Sequence, residues 1–300
     1  MHFVVLANAD SWYAHDLVRA AAGRHTITVL AFHDLASELA ADAVRIKAGE
    51  FDLSQADAVL VRTMPPGSLE QVVFRMDLLA RLDASGTPVI NPPKALEAAV
   101  DKYLASTLLA AAGLATPDTV VCQTADEAMA AFAWLGGNVV LKPLFGSEGR
   151  GIARLQDEAL ALRAFKLLES LGAVLYLQRF IQHEGCDLRL LVLNERVLAM
   201  RRRNPLDWRT NISRGATAEP FQPDDELIEI ARRAAAAVGA PLAGVDVLPG
   251  CDGRLYTIEV NAVPGWKALS QATGQDVAAL VLEYLAETCE RRPSGESERR

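Results

Sequence analysis

The stretch that decides the fold reads Leu242-Ala243-Gly244-Val245-Asp246-Val247-Leu248-Pro249-Gly250-Cys251-Asp252-Gly253-Arg254-Leu255-Tyr256-Thr257-Ile258-Glu259-Val260-Asn261. Two apolar-rich runs flank Gly250-Cys251-Asp252-Gly253, which has the composition of a tight turn, so residues 242–248 and 255–261 read as a β-hairpin. Pairing Pro249 with Arg254 sets Asp246 opposite Thr257 and puts residues 257, 259 and 261 on one face. Asp246, Glu259 and Asn261 then converge, while Val245, Val247, Ile258 and Val260 turn to the other side. Two carboxylates and a neutral amide oxygen form a hard-oxygen set suited to Mg²⁺. The same pattern would also serve a plain amphipathic hairpin with solvated polar positions, so the surroundings must decide.

Outward from this hairpin lies a second, residues 188–193 and 196–200 around Asn194-Glu195. Asp187 and Arg189 sit on its first strand, Arg201-Arg202-Arg203 on its return strand, and Arg209, Asn211 and Arg214 just beyond. A charge run often marks a solvated face. Alternation nevertheless sends Arg202 and Arg203 to opposite sides, so one of them reaches the face of Arg189, and guanidinium is a natural clamp for a transferring phosphoryl group. Further upstream, Leu141-Lys142-Pro143-Leu144 precedes Gly146-Ser147-Glu148-Gly149-Arg150-Gly151. A lysine at a strand end with a glycine-rich turn after it can hold phosphates between backbone N–H groups and an ammonium. The order is the reverse of a P-loop, and an ordinary hairpin turn fits the segment equally.

The rest of the chain supplies an α/β frame. Residues 3–7, 26–32, 58–61 and 88–90 are short apolar runs separated by helical patterns at 11–22 and 69–84, which predicts a small parallel α/β domain over residues 1–93, closed by Pro92-Pro93. A helix over 94–112, capped by Gly113, leads into strands at 119–122, 138–142, 152–155 and 174–178, with helices at 126–135, 160–171 and 226–238. The class expected is α/β (α+β), divided at residues 1–93, 94–182 and 183–290. Residues 291–300 hold only charged residues, Pro, Ser and Gly, the composition of a disordered tail.

Composition narrows the function. With 51% apolar and 23% charged residues the chain is globular, and a formal charge of −8 argues against a nucleic-acid partner. Four scattered cysteines and five scattered histidines suggest neither a disulfide framework nor a zinc site. The N-terminus lacks a basic leader pattern and no apolar run is long enough for a membrane helix, so a cytoplasmic protein without a membrane partner is expected. Homo-oligomerisation stays open.

Taken in order, Asp101-Lys102, Lys142-Pro143-Leu144, Gly185-Cys186-Asp187-Leu188-Arg189, Asn211-Ile212-Ser213-Arg214-Gly215, Gly244-Val245-Asp246 and Glu259-Val260-Asn261-Ala262-Val263-Pro264-Gly265 resemble the ATP-grasp superfamily, in particular its RimK-like α-L-glutamate ligases, over about residues 95–290. The resemblance implies an ATP-grasp fold preceded by a small parallel α/β domain. It implies an ATP-dependent ligase that activates a carboxylate as an acyl phosphate and joins it to an amine. By the same resemblance Lys102 and Lys142 contact nucleotide phosphates, Gln178, Arg179, Phe180 and Ile181 line adenine, Asp187 binds ribose, and Arg189 belongs to the nucleotide side. Arg202 or Arg203 with Asn211 would face the transferring phosphoryl group, and Asp246, Glu259 and Asn261 would hold two Mg²⁺ or Mn²⁺ ions. Arg179 departs from the family, which often has an acidic residue there. Cys186 reads as a small buried hydrophobe. The implied partners are ATP, L-glutamate and a carboxylate-bearing acceptor. Residues 101–106 and 142–151 look most like the subgroup that glutamylates tetrahydromethanopterin. A protein tail, an amino-acid carrier protein, or an ATP-sensing pseudoenzyme are the alternatives.

Overall fold

The computed structural model of the chain describes residues 1–41, 44–146 and 149–291. They divide into two compact units: Met1–Leu96 with Gly239–Leu242 and the described residues from Val263 onward, and Glu97–Val238 with Ala243–Ala262.

In the first unit the chain forms β1 (His2–Leu6), α1 (Trp12–Ala21), β2 (Thr26–Leu30), β3 (Leu35–Leu39), β4 (Val44–Ala48), β5 (Phe51–Asp52), β6 (Ala58–Val61), α2 (Leu69–Ala84) and β7 (Val89–Ile90). A parallel sheet runs in the order β2-β1-β6-β7. Every residue of β6, and of β1 from Phe3 onward, is buried, as expected of strands covered on both faces. Helix α2 spans the residues its periodicity predicts, opened by a capping box in which Ser68 and Gln71 hydrogen-bond reciprocally. The small antiparallel sheet β3-β4-β5 has no counterpart in the sequence reading.

The helix expected over 94–112 is instead two, α3 (Pro93–Val100) and α4 (Lys102–Ala111). Asp101 divides them: its Oδ1 accepts from the N–H groups of Tyr103 and Leu104 at 2.8 and 3.1 Å, capping a new helix rather than continuing the old one. Lys102 thereby becomes the first residue of α4.

The second unit continues with β8 (Thr119–Cys122), α5 (Ala125–Trp134), β9 (Val139–Lys142), β10 (Ala153–Leu155), α6 (Glu158–Ser170) and β11 (Leu175–Arg179). Its first sheet has the order β10-β9-β11-β8, and its core packs Phe132, Leu135, Phe165, Leu175 and Leu177 against α5 and α6. Next come β12 (Cys186–Leu193), β13 (Arg196–Arg203), β14 (Thr217–Phe221), α7 (Asp225–Val238), β15 (Leu242–Pro249) and β16 (Leu255–Asn261), which build a sheet in the order β14-β13-β12-β15-β16. The buried stripe of α7, Leu227, Ala231, Ala234, Ala235 and Val238, packs on this sheet. The last two helices, α8 (Lys267–Thr273) and α9 (Val277–Arg291), belong to the first unit. Among the described residues no helix is long and apolar enough to cross a membrane.

The β15–β16 hairpin forms with a different register from the one expected. Val247 pairs with Thr257 and Asp246 with Glu259, so Ile258 is an extra residue at a bulge. The bulge breaks the simple alternation and takes Thr257 off the face it was expected to share. It brings the two carboxyl-bearing residues directly opposite each other, with Asn261 paired to Gly244 farther along the same face.

Candidate active site

The geometry begins at the end of β9. Lys142 is half-buried, and its Nζ donates to Gln178 Oε1 at 2.7 Å, while Gln178 Nε2 donates to Thr119 Oγ1 at 3.0 Å. Across the ladder Tyr176 pairs with Lys142, and its hydroxyl lies 2.7 Å from Ser106 Oγ. Burial disfavours the ammonium and lowers the Lys142 pKa to about 8; Glu259 and Asp246 oppose that shift. Lys102 is lowered for the same reason, again opposed by Glu259. Two desolvated lysines therefore face carboxylates with no direct ion pair between them, an arrangement a polyanionic ligand would complete.

After Lys142 the chain enters the glycine-rich turn, of which Ser147 and Glu148 lie outside the described residues. Lys102 Nζ donates to Gly146 O at 2.7 Å and Arg214 Nη2 to Gly149 O at 3.3 Å. Gly149 has φ of 70°, and a Cβ there would stand 2.5 Å from Asn211 Oδ1, so any side chain would displace the amide. Asn211 thus rests against the turn at Gly149.

Residues 178–181, expected to line adenine, close β11 and the turn after it. The Gln178 side chain turns inward onto Lys142, and the N–H groups of Arg179 and Phe180 donate to Asp118 O and Asn138 O at 2.8 and 3.0 Å. Phe180 is enclosed by Arg154, whose guanidinium carbon is 3.5 Å from the ring centroid, and by His183 and Trp208. Arg179 is half-exposed and pairs with Asp118, and Ile181 lies against the Gly250 turn.

One face of the five-stranded sheet carries a row of charge. Arg202 on β13 pairs with Asp187 on β12, donating from Nε to Oδ1 at 2.7 Å and from Nη2 to Oδ2. Its Nη2 also lies 3.0 Å from Asp246 Oδ2, and Arg189 Nε lies 2.9 Å from Asp246 Oδ1. Thr210 donates to Asp187 Oδ2 at 2.6 Å. Exposures of 1% for Asp187, 2% for Asp246 and 3% for Arg202 make this a buried ionic cluster. Burial works against the Arg202 charge, but Asp246 and Asp187 outweigh it and raise its pKa. For Asp187, burial pushes the carboxyl up, against the pull of Arg202.

Asp187, expected on the ribose, is buried here, with Arg202 donating to both its oxygens and Thr210 to Oδ2. Arg189, expected on the nucleotide side, lies against the Asp246 carboxylate. The register of β12 and β13 separates Arg202 from Arg203: Arg202, paired with Asp187, enters the cluster, whereas Arg203 is exposed on the other face, 3.8 Å from Glu219. Arg201 shares that outer side and lies over Phe221. Thr210, Tyr176 and Ser106, which touch these residues, carry no mark in the sequence, since none lies in a glycine, charge or alternation pattern.

A divalent cation fits this face. Glu259 stands across the ladder from Asp246, and Asp246 Oδ1, though near Arg189, is buried without an aligned hydrogen bond. Oxygen donors from Asp246, Glu259 and Asn261 are the type Mg²⁺ and Mn²⁺ take. Among the described residues there is no grouping of three or more His, Cys, Asp or Glu side chains, which leaves a set completed by an amide.

A fold of this kind is shared with the ATP-grasp ligase PsnB complexed with minimal precursor, Mg and ADP, with a TM-score of 0.76 at 20% identity over 96% of this chain and 97% of that one. It is shared too with a RimK domain protein ATP-grasp from Sphaerobacter thermophilus, TM-score 0.74 at 26% identity over 95% and 99%. The protein is an ATP-grasp enzyme, a ligase. More narrowly, residues 99–285 match the model of the RimK-like ATP-grasp domain, and the chain belongs to that family. It is 33% identical to the tetrahydromethanopterin:alpha-L-glutamate ligase of Methanosarcina acetivorans, over 94% of this chain and 97% of that protein. A probable alpha-L-glutamate ligase of Xanthomonas euvesicatoria pv. vesicatoria is 29% identical over 96% and 98%.

Proposed function

We propose that this ligase joins L-glutamate to an acceptor carboxylate, and that the acceptor is a coenzyme of the tetrahydromethanopterin type. The observation that carries the reading is the near full-length likeness to a relative named for that reaction. In the reaction ATP phosphorylates the acceptor carboxylate, and the amine of glutamate then displaces phosphate from the acyl phosphate to leave an amide.

Each residue has a task that its chemistry supports. Lys102 and Lys142 would exchange their present bonds to Gly146 O and Gln178 Oε1 for phosphate oxygens. The glycine turn would add backbone N–H groups, and Asn211 would hold that turn beside the transferring phosphoryl group. Asp246, Glu259 and Asn261 would hold Mg²⁺ or Mn²⁺, which when bound supplies neutralising charge to the phosphates. Arg202 and Arg189 would fix the direction of Asp246, and Asp187 with Thr210 would fix Arg202. On this reading residues 94–182 form the nucleotide side and 183–290 the metal side.

The test is incubation with Mg-ATP, L-glutamate and tetrahydromethanopterin, following ADP release and product mass. A glutamyl-coenzyme formed in step with ADP is the expected result. Turnover with another acceptor from a cell extract would keep the ligase and overturn the coenzyme. ATP bound without any ADP release would make the protein a sensor.

A further inference from the structure

The first unit holds a cation that nothing above employs. Its parallel sheet has the order β2-β1-β6-β7, so the chain moves from β1 to one side and later returns to the other side of β1. Strands β1 and β6 flank that reversal, and open α/β sheets bind ligands outside the carboxyl ends of strands at such a place. Arg62 directly follows β6, and the N–H groups of Arg62 and Thr63 both donate to Leu6 O, at 2.9 and 3.1 Å, where β1 ends.

The Arg62 side chain is 5% exposed. Its Nη2 donates to Pro264 O at 2.7 Å, and its guanidinium carbon lies 4.2 Å from the centroid of Trp266 and 4.9 Å from that of Tyr13. Nε and Nη1 are buried and meet no acceptor among the described residues, and no carboxylate lies at ion-pair distance there. Burial without a counter-charge lowers its pKa to about 10. Aromatic faces stabilise a guanidinium but do not accept its N–H bonds as an anion does. Tyr13 belongs to the first turn of α1, whose N-cap Ser11 makes no side-chain hydrogen bond to the helix and whose first turn has no acidic residue. An uncapped helix start and an orphaned buried guanidinium therefore meet at the end of one sheet.

We propose that Arg62, with the first turn of α1, is a binding site for the carboxylate of a small-molecule substrate. One fixed cation between two aromatic rings matches a single negative charge, whereas a phosphate dianion would leave charge unmatched against Tyr13 and Trp266. The proposal rests on the ligase reading only for its first probe, since that reaction takes carboxylate-bearing substrates.

The test is a ¹⁵N–¹H titration of the full chain without nucleotide, following the Arg62 Nε–H signal, assigned by its loss in Arg62→Lys. Probes are L-glutamate, succinate and inorganic phosphate, with calorimetry alongside. L-Glutamate is expected to shift the signal, and Arg62→Met is expected to bind it at least tenfold more weakly with ATP affinity unchanged. A signal unmoved by both carboxylates, or moved by phosphate alone, overturns the site. So does equal glutamate affinity in wild type and Arg62→Met. A response to succinate but not L-glutamate keeps the carboxylate site and instead counts against the glutamate reading. Should Arg62→Met fail to fold, the wild-type titration decides by itself.

Discussion

The parallel sheet of the first unit and the five-stranded sheet of the second handle charge in opposite ways. In the parallel sheet, β1 from Phe3 to Leu6 and all of β6 are apolar and at most 1% exposed, so these central positions leave no room for a polar group. Its cation, Arg62, comes only after the strand has ended. In the five-stranded sheet one face packs on α7, and the other carries Asp187, Arg189, Arg202, Asp246 and Glu259 in mid-strand. There cation and anion lie across the ladder and compensate each other inside the fold. A sheet covered on both sides sends its chemistry to strand ends, and a sheet with one face to give displays it along the strands.

The contrast is sharpest in stability. Arg202→Met would leave Asp187 and Asp246 buried without their cation, and should cost about 3–5 kcal/mol in urea denaturation. A loss below about 1 kcal/mol would mean that the cluster does not hold the sheet together. Arg62 has no such partners to abandon, so Arg62→Met should change stability by no more than about 1 kcal/mol, and a loss equal to that of Arg202→Met would erase the distinction.

Next in size is Glu259→Gln, which keeps shape and removes one charge of the mid-strand face. We expect ATP turnover to fall by about 10²-fold or more with little change in melting temperature. Wild-type turnover would remove Glu259 from the reaction.

Proton uptake sharpens the same point at Lys142. Its pKa is about 8 against an ordinary 10.5, so in the ATP-free protein it loses its charge as pH rises through 8. Phosphate favours the charged form, and ATP binding should take up protons between about pH 8 and 10.5, with affinity falling as pH climbs across that window. For folding the sign is opposite: the unfolded chain keeps its proton up to 10.5, so Lys142 contributes added stability as pH rises from 8. Calorimetry in buffers of different protonation enthalpy measures the uptake. None at pH 8.5 would place Lys142 away from the phosphates. The smallest effect is predicted for Arg203→Lys on the outer face, within about 0.5 kcal/mol in stability and with unchanged kcat.

What could be read beforehand follows from the same physics. Period-two alternation around Asn194-Glu195 located the central hairpin and required Arg202 and Arg203 to part, but only packing decided which turned inward. The helical pattern over 69–84 matched α2 to the residue. Asp101 and Ile258 were not legible in their roles: an aspartate inside a helical pattern is also an ordinary surface residue, and a bulge leaves alternation intact on each side of it. In the sheet β3-β4-β5 only β4, Val44-Arg45-Ile46-Lys47-Ala48, alternates apolar and charged residues; β3 has no such period and β5 is two residues long, so the sheet escaped. For Asp187, the sequence located the residue, but its engagement by Arg202 and Thr210 depends on a loop residue whose side chain no pattern directs.

The order of the two units along the chain has a consequence for biosynthesis. Helix α9 packs on α1, and Arg19 binds Asp276 through two hydrogen bonds of 2.7 and 2.9 Å, so residues at opposite ends of the described chain close the first unit. The residues between 97 and 262, apart from 239–242, form the other unit. A ribosome working from the N-terminus therefore finishes the sheets of the second unit before it delivers the helix that seals the unit it began with. Nascent chains arrested shortly after Ala262 has emerged should already protect residues of β12 and β16 from protease while β1 and α1 remain cleavable, and that protection should spread to them once α9 is outside the tunnel.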